Sequence, residues 1–311
     1  MNFSLDKGKH SSYFYISMRA ILASFCRGFA VAAMFGQISF AASVISSSTL
    51  WTPLGANYDF LGDQQTGARA GDIVGNGVDF GFFTTFNPNA TPTPTNGELG
   101  FRVRLDAAGG NSNNPAFDRV FWVGIDAGLN GTLDAFVGVI FSGNSSELTI
   151  RAPGTGANTS PSTTTISNTP SNTYATSASN YNYRPVNFGS GLGQDGGSTN
   201  DLTPLTTSGP DYYLSFMLPF ADIVEFMASL STPITITNST PLRYVMATST
   251  QANSLNQDLG GVNAGTNSAT SWQDLGGFSP VITPTGVIIP EPSGVAFLII
   301  SGSLFLLRRG R

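Results

Sequence analysis

The stretch Glu98–Asp106, ELGFRVRLD, carries the fold class. Leu99, Phe101, Val103 and Leu105 fall at every second position, and Glu98, Arg102, Arg104 and Asp106 take alternate ones. A side-chain period of two turns the first set toward a core and the second toward water, as in a half-buried antiparallel strand. Arg102 and Arg104 are therefore expected on a solvated outer face, with an anion-binding role as the competing reading.

Similar short runs lie on both sides. Asp79–Phe86, Asp134–Ile140, Ser146–Ile150, Tyr212–Leu218, Ile234–Thr237 and Leu242–Ala247 read as strands. Asp118–Ile125 (DRVFWVGI) is apolar at odd and even positions, as a strand covered on both faces requires. Asn130-Gly131, between two strands, signals a turn. One helix is predicted to start at Pro219. Asp222 and Glu225 lie near its positive end, and Phe220, Ile223, Met227 and Leu230 share one face. It is expected as a lid over one end of the sheets. Between Arg151 and Arg184 no residue is charged, and Ser, Thr, Asn and Gly dominate through to Gly197. Such a composition buries too little apolar area to offset its ordering entropy, so residues 152–200 are expected as a flexible insertion. The prediction is an all-β chain: an antiparallel, jelly-roll-like β-sandwich in one domain over 42–286, with one short helix and helical targeting segments at both ends.

Composition narrows the chemistry. The 311 residues include one cysteine, Cys26, one histidine, His10, and two lysines, Lys7 and Lys9. All four precede Ala42. The remainder therefore holds no thiol, imidazole or side-chain amine. That excludes a Cys or Ser–His nucleophile, a lysine Schiff base, a Cys/His zinc site and a disulfide framework there. Residues 42–289 carry 7 Arg and 17 Asp plus Glu, a net charge of −10. This balance argues against nucleic acid as a partner and suits cation binding. A glycoside hydrolase needs only two carboxylates and survives these exclusions, but the sequence singles out no pair. The chain is expected not to be an enzyme.

Asp126–Asp134 (DAGLNGTLD) matches positions one, five, six and nine of a twelve-residue calcium loop, whereas Gly128 and Val137 replace the ligands at positions three and twelve. Asp126, Asn130 and Asp134 are thus candidate calcium ligands, with a turn built from Asx and Gly residues as the alternative. Asp59, Asp63, Asp72 and Asp79 cluster around Gly-rich turns, and Asp258 and Asp274 lie in late Gly/Asn-rich loops. Asp72 and Asp79 read as further calcium oxygens or as solvated loop ends, and Asp258 and Asp274 read as solvated loop ends. Trp51, Trp122 and Trp272 are candidates for stacking on sugar rings. Trp122 reads as core, and Trp272, in a loop before Gln273 and Asp274, as the better ligand candidate.

Both ends read as addresses. Lys7, Lys9, Arg19 and Arg27 precede the apolar run Gly28–Gly36, and Ser39 and Ala41 fit the −3 and −1 positions of a cleavage site. A signal peptide over 1–41 is expected, with Met18 as an alternative start. At the other end stand Pro290, Glu291 and Pro292, then an almost wholly apolar Gly294–Leu307, then Arg308, Arg309 and Arg311. This order resembles the PEP-CTERM sorting domain of Gram-negative bacteria, here over 287–311. The resemblance implies export by the general secretion machinery, transient membrane insertion and processing by an exosortase near Pro290. Such substrates belong to the envelope or matrix of biofilm-forming bacteria. The order of elements over residues 79–230 also resembles the DOMON and family-nine carbohydrate-binding sandwiches. The expected role is structural or adhesive. The alternative is a carbohydrate-binding module for matrix polysaccharide, and after it a His-free glycoside hydrolase.

Overall fold

The computed structural model describes residues 45, 50–54, 58–76, 80–111, 114–142, 145–186, 210–262 and 270–290. Ser39, Ala41, Glu291, Pro292, Arg308, Arg309 and Arg311 lie outside them, as do Asp79 and residues 187–200 of the expected insertion. In chain order the strands are β1 (Thr52–Pro53), β2 (Tyr58–Asp59), β3 (Gly75–Asn76), β4 (Phe82–Asn87), β5 (Glu98–Leu105), β6 (Gly109–Asn111), β7 (Asn114–Ala116) and β8 (Val120–Asp126). They continue with β9 (Ala135–Ser142), β10 (Ser145–Pro153), β11 (Ile166–Ala175), β12 (Tyr181–Pro185), β13 (Tyr212–Pro219), β14 (Arg243–Ser249) and β15 (Asp258–Leu259). Two α-helices, α1 (Phe220–Ala228) and α2 (Trp272–Leu275), and a short 3-10 turn, Arg69–Gly71, complete the described elements. None of the described helices is long and apolar enough to cross a membrane.

The chain is an antiparallel β-sandwich. One sheet runs β1-β4-β5-β13-β12 and the other β11-β10-β9-β8-β14-β15. The inward side chains of β5 and of Leu214, Phe216 and Leu218 on β13 meet those of β8, β9 and β14 in one core. Across the layers the ring of Phe101 lies 5.1 Å from that of Tyr244, and Phe121 lies 6.1 Å from Phe216. Both pairs are edge-on, the arrangement the aromatic quadrupole favours. Helix α1 caps this core through Phe220, Ile223, Phe226 and Met227. Pro219 is its N-cap rather than its first residue, one position from the expected start.

Three expectations give way. Arg102 and Arg104 are not on a solvated face: they are 0% and 1% exposed. The outer side of β5 is roofed by Ile45, Trp51, Phe83, Val186, Tyr213 and Met217. The guanidinium of Arg102 sits 4.3 Å from the Trp51 ring and 5.1 Å from Tyr213, and it donates to Ser215 Oγ (2.7 Å) and the Ile45 carbonyl (2.9 Å). Burial of this cation is offset by those donors' partners and by the two π faces. Second, part of the expected flexible insertion is sheet. Strand β11 pairs along β10, with register shifts around Arg151, and β12 pairs along β13. Ladder hydrogen bonds to an edge strand supply the order that composition alone does not, and Pro170 is tolerated because β11 lies at the sheet edge. Third, Ile234–Thr237 is not a strand; Ile236 is buried without a ladder partner for its run.

The second sheet is covered on its outside too. Trp122, Phe136, Val245 and Ala247 pack beneath Leu255, Leu259, Val262 and Trp272. Strand β8 is therefore buried at every position, as its double-sided apolar pattern requires. At the end of the described chain, the Thr283 amide donates to the Val287 carbonyl (2.9 Å) and the Ile289 amide to Val281 (2.8 Å). This turn leaves Val287, Ile288 and Ile289 exposed just before Pro290.

Candidate functional site

The loop over 58–76 crosses from the end of β5 to the β14-β15 edge. Asp59 ends β2, where it pairs with Gly75, and the turn through Gly62, with φ +79°, brings in Asp63. Asp72 follows the short 3-10 turn Arg69–Gly71 and accepts from the Gly62 amide at 2.8 Å. The Ile73 amide then reaches Asp258 Oδ2 at 2.6 Å, and Leu259 donates to Asp258 Oδ1 at 2.8 Å. The Gln65 amide donates to the Gln257 carbonyl at 2.8 Å, and the Thr248 hydroxyl donates to the Gly71 carbonyl. These bonds stitch the early loop to the late one.

The stitching gathers aspartates that the sequence scatters. Asp59, Asp63 and Asp258 each offer a carboxylate oxygen, all within 4.8 Å of one another. Asp59, Asp72 and Asp258 are 0% exposed, and Asp63 is half-buried. Asp59 Oδ1 accepts from the Phe60 amide (3.1 Å), whereas Asp59 Oδ2 and Asp72 Oδ1 have no hydrogen-bond partner. Among the described residues no arginine pairs with Asp59, Asp72 or Asp258. Burial, and after it the neighbouring charges of Asp258 and Asp63, hold the Asp59 carboxyl well above its ordinary range. Burial and Asp63 do the same to Asp258. Burial pushes Asp72 up to about 7, against the pull of the Gly62 amide. Crowded, dry carboxylates of this kind need a proton or a cation between them.

Beside the cluster lies a cavity of about 220 Å³, lined by Leu54, Phe60, Phe82, Tyr244, Met246 and Phe278 and floored by Gly260 and Gly261. A Cβ at Gly260 would stand 2.2 Å from Phe82 Cζ, so a side chain there would have to displace that ring. The Tyr244 hydroxyl is buried without a hydrogen-bond partner, and its burial raises the phenol's pKa.

The residues predicted from the calcium-loop motif behave differently. Asp126 Oδ1 accepts from the Asn130 amide (3.1 Å), and Oδ2 accepts from the Gly131 amide (2.9 Å) and Arg243 Nη2 (2.7 Å). Asp134 Oδ2 accepts from the amides of Ala127 (2.9 Å) and Gly128 (3.1 Å), and Asn130 Oδ1 accepts from Thr132 (2.9 Å). Asp126, Asn130 and Asp134 thus build the β8-β9 connection by Asx-type bonds, and Gly131, at φ +84°, makes its bend. Trp272 is not an exposed loop aromatic: it is 1% exposed on α2, and its indole donates to Thr164 Oγ1 at 3.1 Å. Trp51 and Trp122 are buried as well. None of the three offers a face to a sugar. A hydrolytic pair must face a cleft, and Asp59 and Asp258 are closed to one by burial. Ser271 caps α2, accepting from the Asp274 amide (3.2 Å) and donating its hydroxyl to Asp274 Oδ2 (2.6 Å).

Compared with known proteins, the chain matches no family model, no curated protein and no solved structure.

Proposed function

We propose that the chain is an exported protein of the cell envelope or extracellular matrix, sorted and processed through its C-terminal segment, with a structural or adhesive role. One observation carries this reading: Pro290-Glu291-Pro292, an apolar run and the Arg308, Arg309 and Arg311 cluster occur in that order at the C-terminal end. It resembles the PEP-CTERM signal, and its processing enzyme would be an exosortase. Two features agree with it. Pro290, which follows the Thr283–Ile289 turn, is exposed, as a processing site requires. The signal-like 1–41 segment holds the chain's cysteine, histidine and lysines.

The test is mass spectrometry of both termini of the protein recovered from envelope and secreted fractions. Ends near Ala42 and Pro290 are the expected result. A chain that keeps Arg311 in the membrane removes the processing step. The carbohydrate-binding alternative is tested by a polysaccharide array; with all three tryptophans buried, binding there would need other residues.

A further inference from the structure

The geometry points to a calcium site formed by Asp59, Asp63 and Asp258, which ties the 58–76 loop to β15. Three carboxylate oxygens within 4.8 Å of one another fit a single coordination sphere, because two oxygens each about 2.4 Å from a calcium ion stand at most about 4.8 Å apart. Asp59 is closed to solvent and its Oδ2 has no hydrogen-bond partner, so this oxygen has a lone-pair direction to give. Asp258 has both oxygens held by amides, from Ile73 and Leu259, and a carboxylate oxygen so held keeps a second lone pair for a metal. Asp63, half-buried on the Gly62 turn, gives the site its side toward solvent. Among the described residues, neither Asp59, Asp258 nor the adjacent Asp72 has a cationic side chain to balance it.

The donor set chooses the ion. It is all oxygen and lacks His and Cys, which favours a hard cation over zinc or copper. Magnesium sheds its waters reluctantly, and two of the three carboxylates are dry, so calcium is the better match. Its role is to hold fixed the wall that Phe60, Gly260 and Gly261 give to the neighbouring cavity. This inference stands apart from the sorting reading.

The experiment uses the full chain, stripped with EDTA and dialysed against radioactive calcium. The expected result is one ion per chain with a dissociation constant at or below about 1 mM, as in extracellular calcium modules. A rise in melting temperature should accompany binding. Asp59→Asn and, as the variant that disturbs the fold least, Asp63→Asn should each weaken binding at least about tenfold. In EDTA, Asp59→Asn should melt no lower than wild type, because a buried amide needs neither a proton nor a cation to neutralise it. Asp126→Asn should leave calcium affinity unchanged. Absence of binding to the wild type overturns the inference. So does binding that persists unchanged in both Asp59→Asn and Asp63→Asn, or that is lost in Asp126→Asn alone.

Discussion

Arg104 and Asp211 form an ion pair closed to water on both sides, with Nε 2.5 Å from Oδ2 and side-chain exposures of 1% and 0%. It joins the outer side of β5 to the residue that leads into β13. Removing one partner strands the other charge in the interior, at a cost of about 3–5 kcal/mol. Arg104→Met should therefore lower unfolding free energy by that order in urea titration. The double variant Arg104→Met/Asp211→Leu should recover most of it. A double variant as weak as the single one would show that the geometry, not the stranded charge, is at stake.

Gly138, in the middle of β9, has no room for a side chain. A Cβ there would lie 2.1 Å from the Phe121 carbonyl oxygen and 2.6 Å from Trp122 Cε3. The first of these atoms is backbone on the paired strand and cannot swing away. Gly138→Ala should cost on the order of 3 kcal/mol, read from the denaturation midpoint. An unchanged midpoint would mean that β8 and β9 separate more easily than their ladder suggests.

Asp126 serves two amides and Arg243, so Asp126→Ala deprives three donors at once. A loss of about 2–4 kcal/mol is expected. Asp126→Asn, which keeps an acceptor oxygen, should lose less. Equal losses would assign the effect to the charge pair with Arg243 rather than to the turn.

Tyrosine ionisation gives the alkaline limit of the fold. Burial pushes Tyr181 up to about 12, and it raises Tyr183 and Tyr244 as well. A phenol with a raised folded pKa binds its proton more tightly when native. Its contribution is complete below about pH 10 and is lost as pH rises from there toward the folded value. Melting temperature should thus fall steeply above about pH 10, and tyrosinate absorbance should appear together with unfolding. Free titration of all tyrosines in the folded chain at pH 10 would contradict the burial.

The sequence made the sandwich legible because the inner faces obey a period of two: Leu99, Phe101, Val103 and Leu105 are all fully buried. The same period misled about the opposite face. Alternation says that two faces differ, not that Trp51 and Ile45 return from elsewhere to cover the polar one. Arg102 is buried by contacts that no local pattern announces. The aspartate cluster escaped as a site for a related reason. Asp59 and Asp258 stand about two hundred positions apart and meet through long-range bonds such as those from the Ile73 amide to Asp258 and from the Gln65 amide to Gln257. A motif scan favours contiguous ligands, so it chose Asp126, Asn130 and Asp134, whose oxygens the turn itself uses. The one available signal was negative: several aspartates in Gly-rich turns with few arginines to balance them.

The placement of the arginines has a last consequence, for proteolysis. Between residues 42 and 289 the chain offers trypsin no lysine and only Arg69, Arg102, Arg104, Arg119, Arg151, Arg184 and Arg243. Six of these are buried or half-buried. The seventh, Arg184, is exposed but lies in β12 and precedes Pro185, a bond that trypsin does not cut. The folded sandwich thus resists trypsin from within, and digestion of the full chain should cut after Arg27 and at Arg308, leaving one resistant body of 28–308.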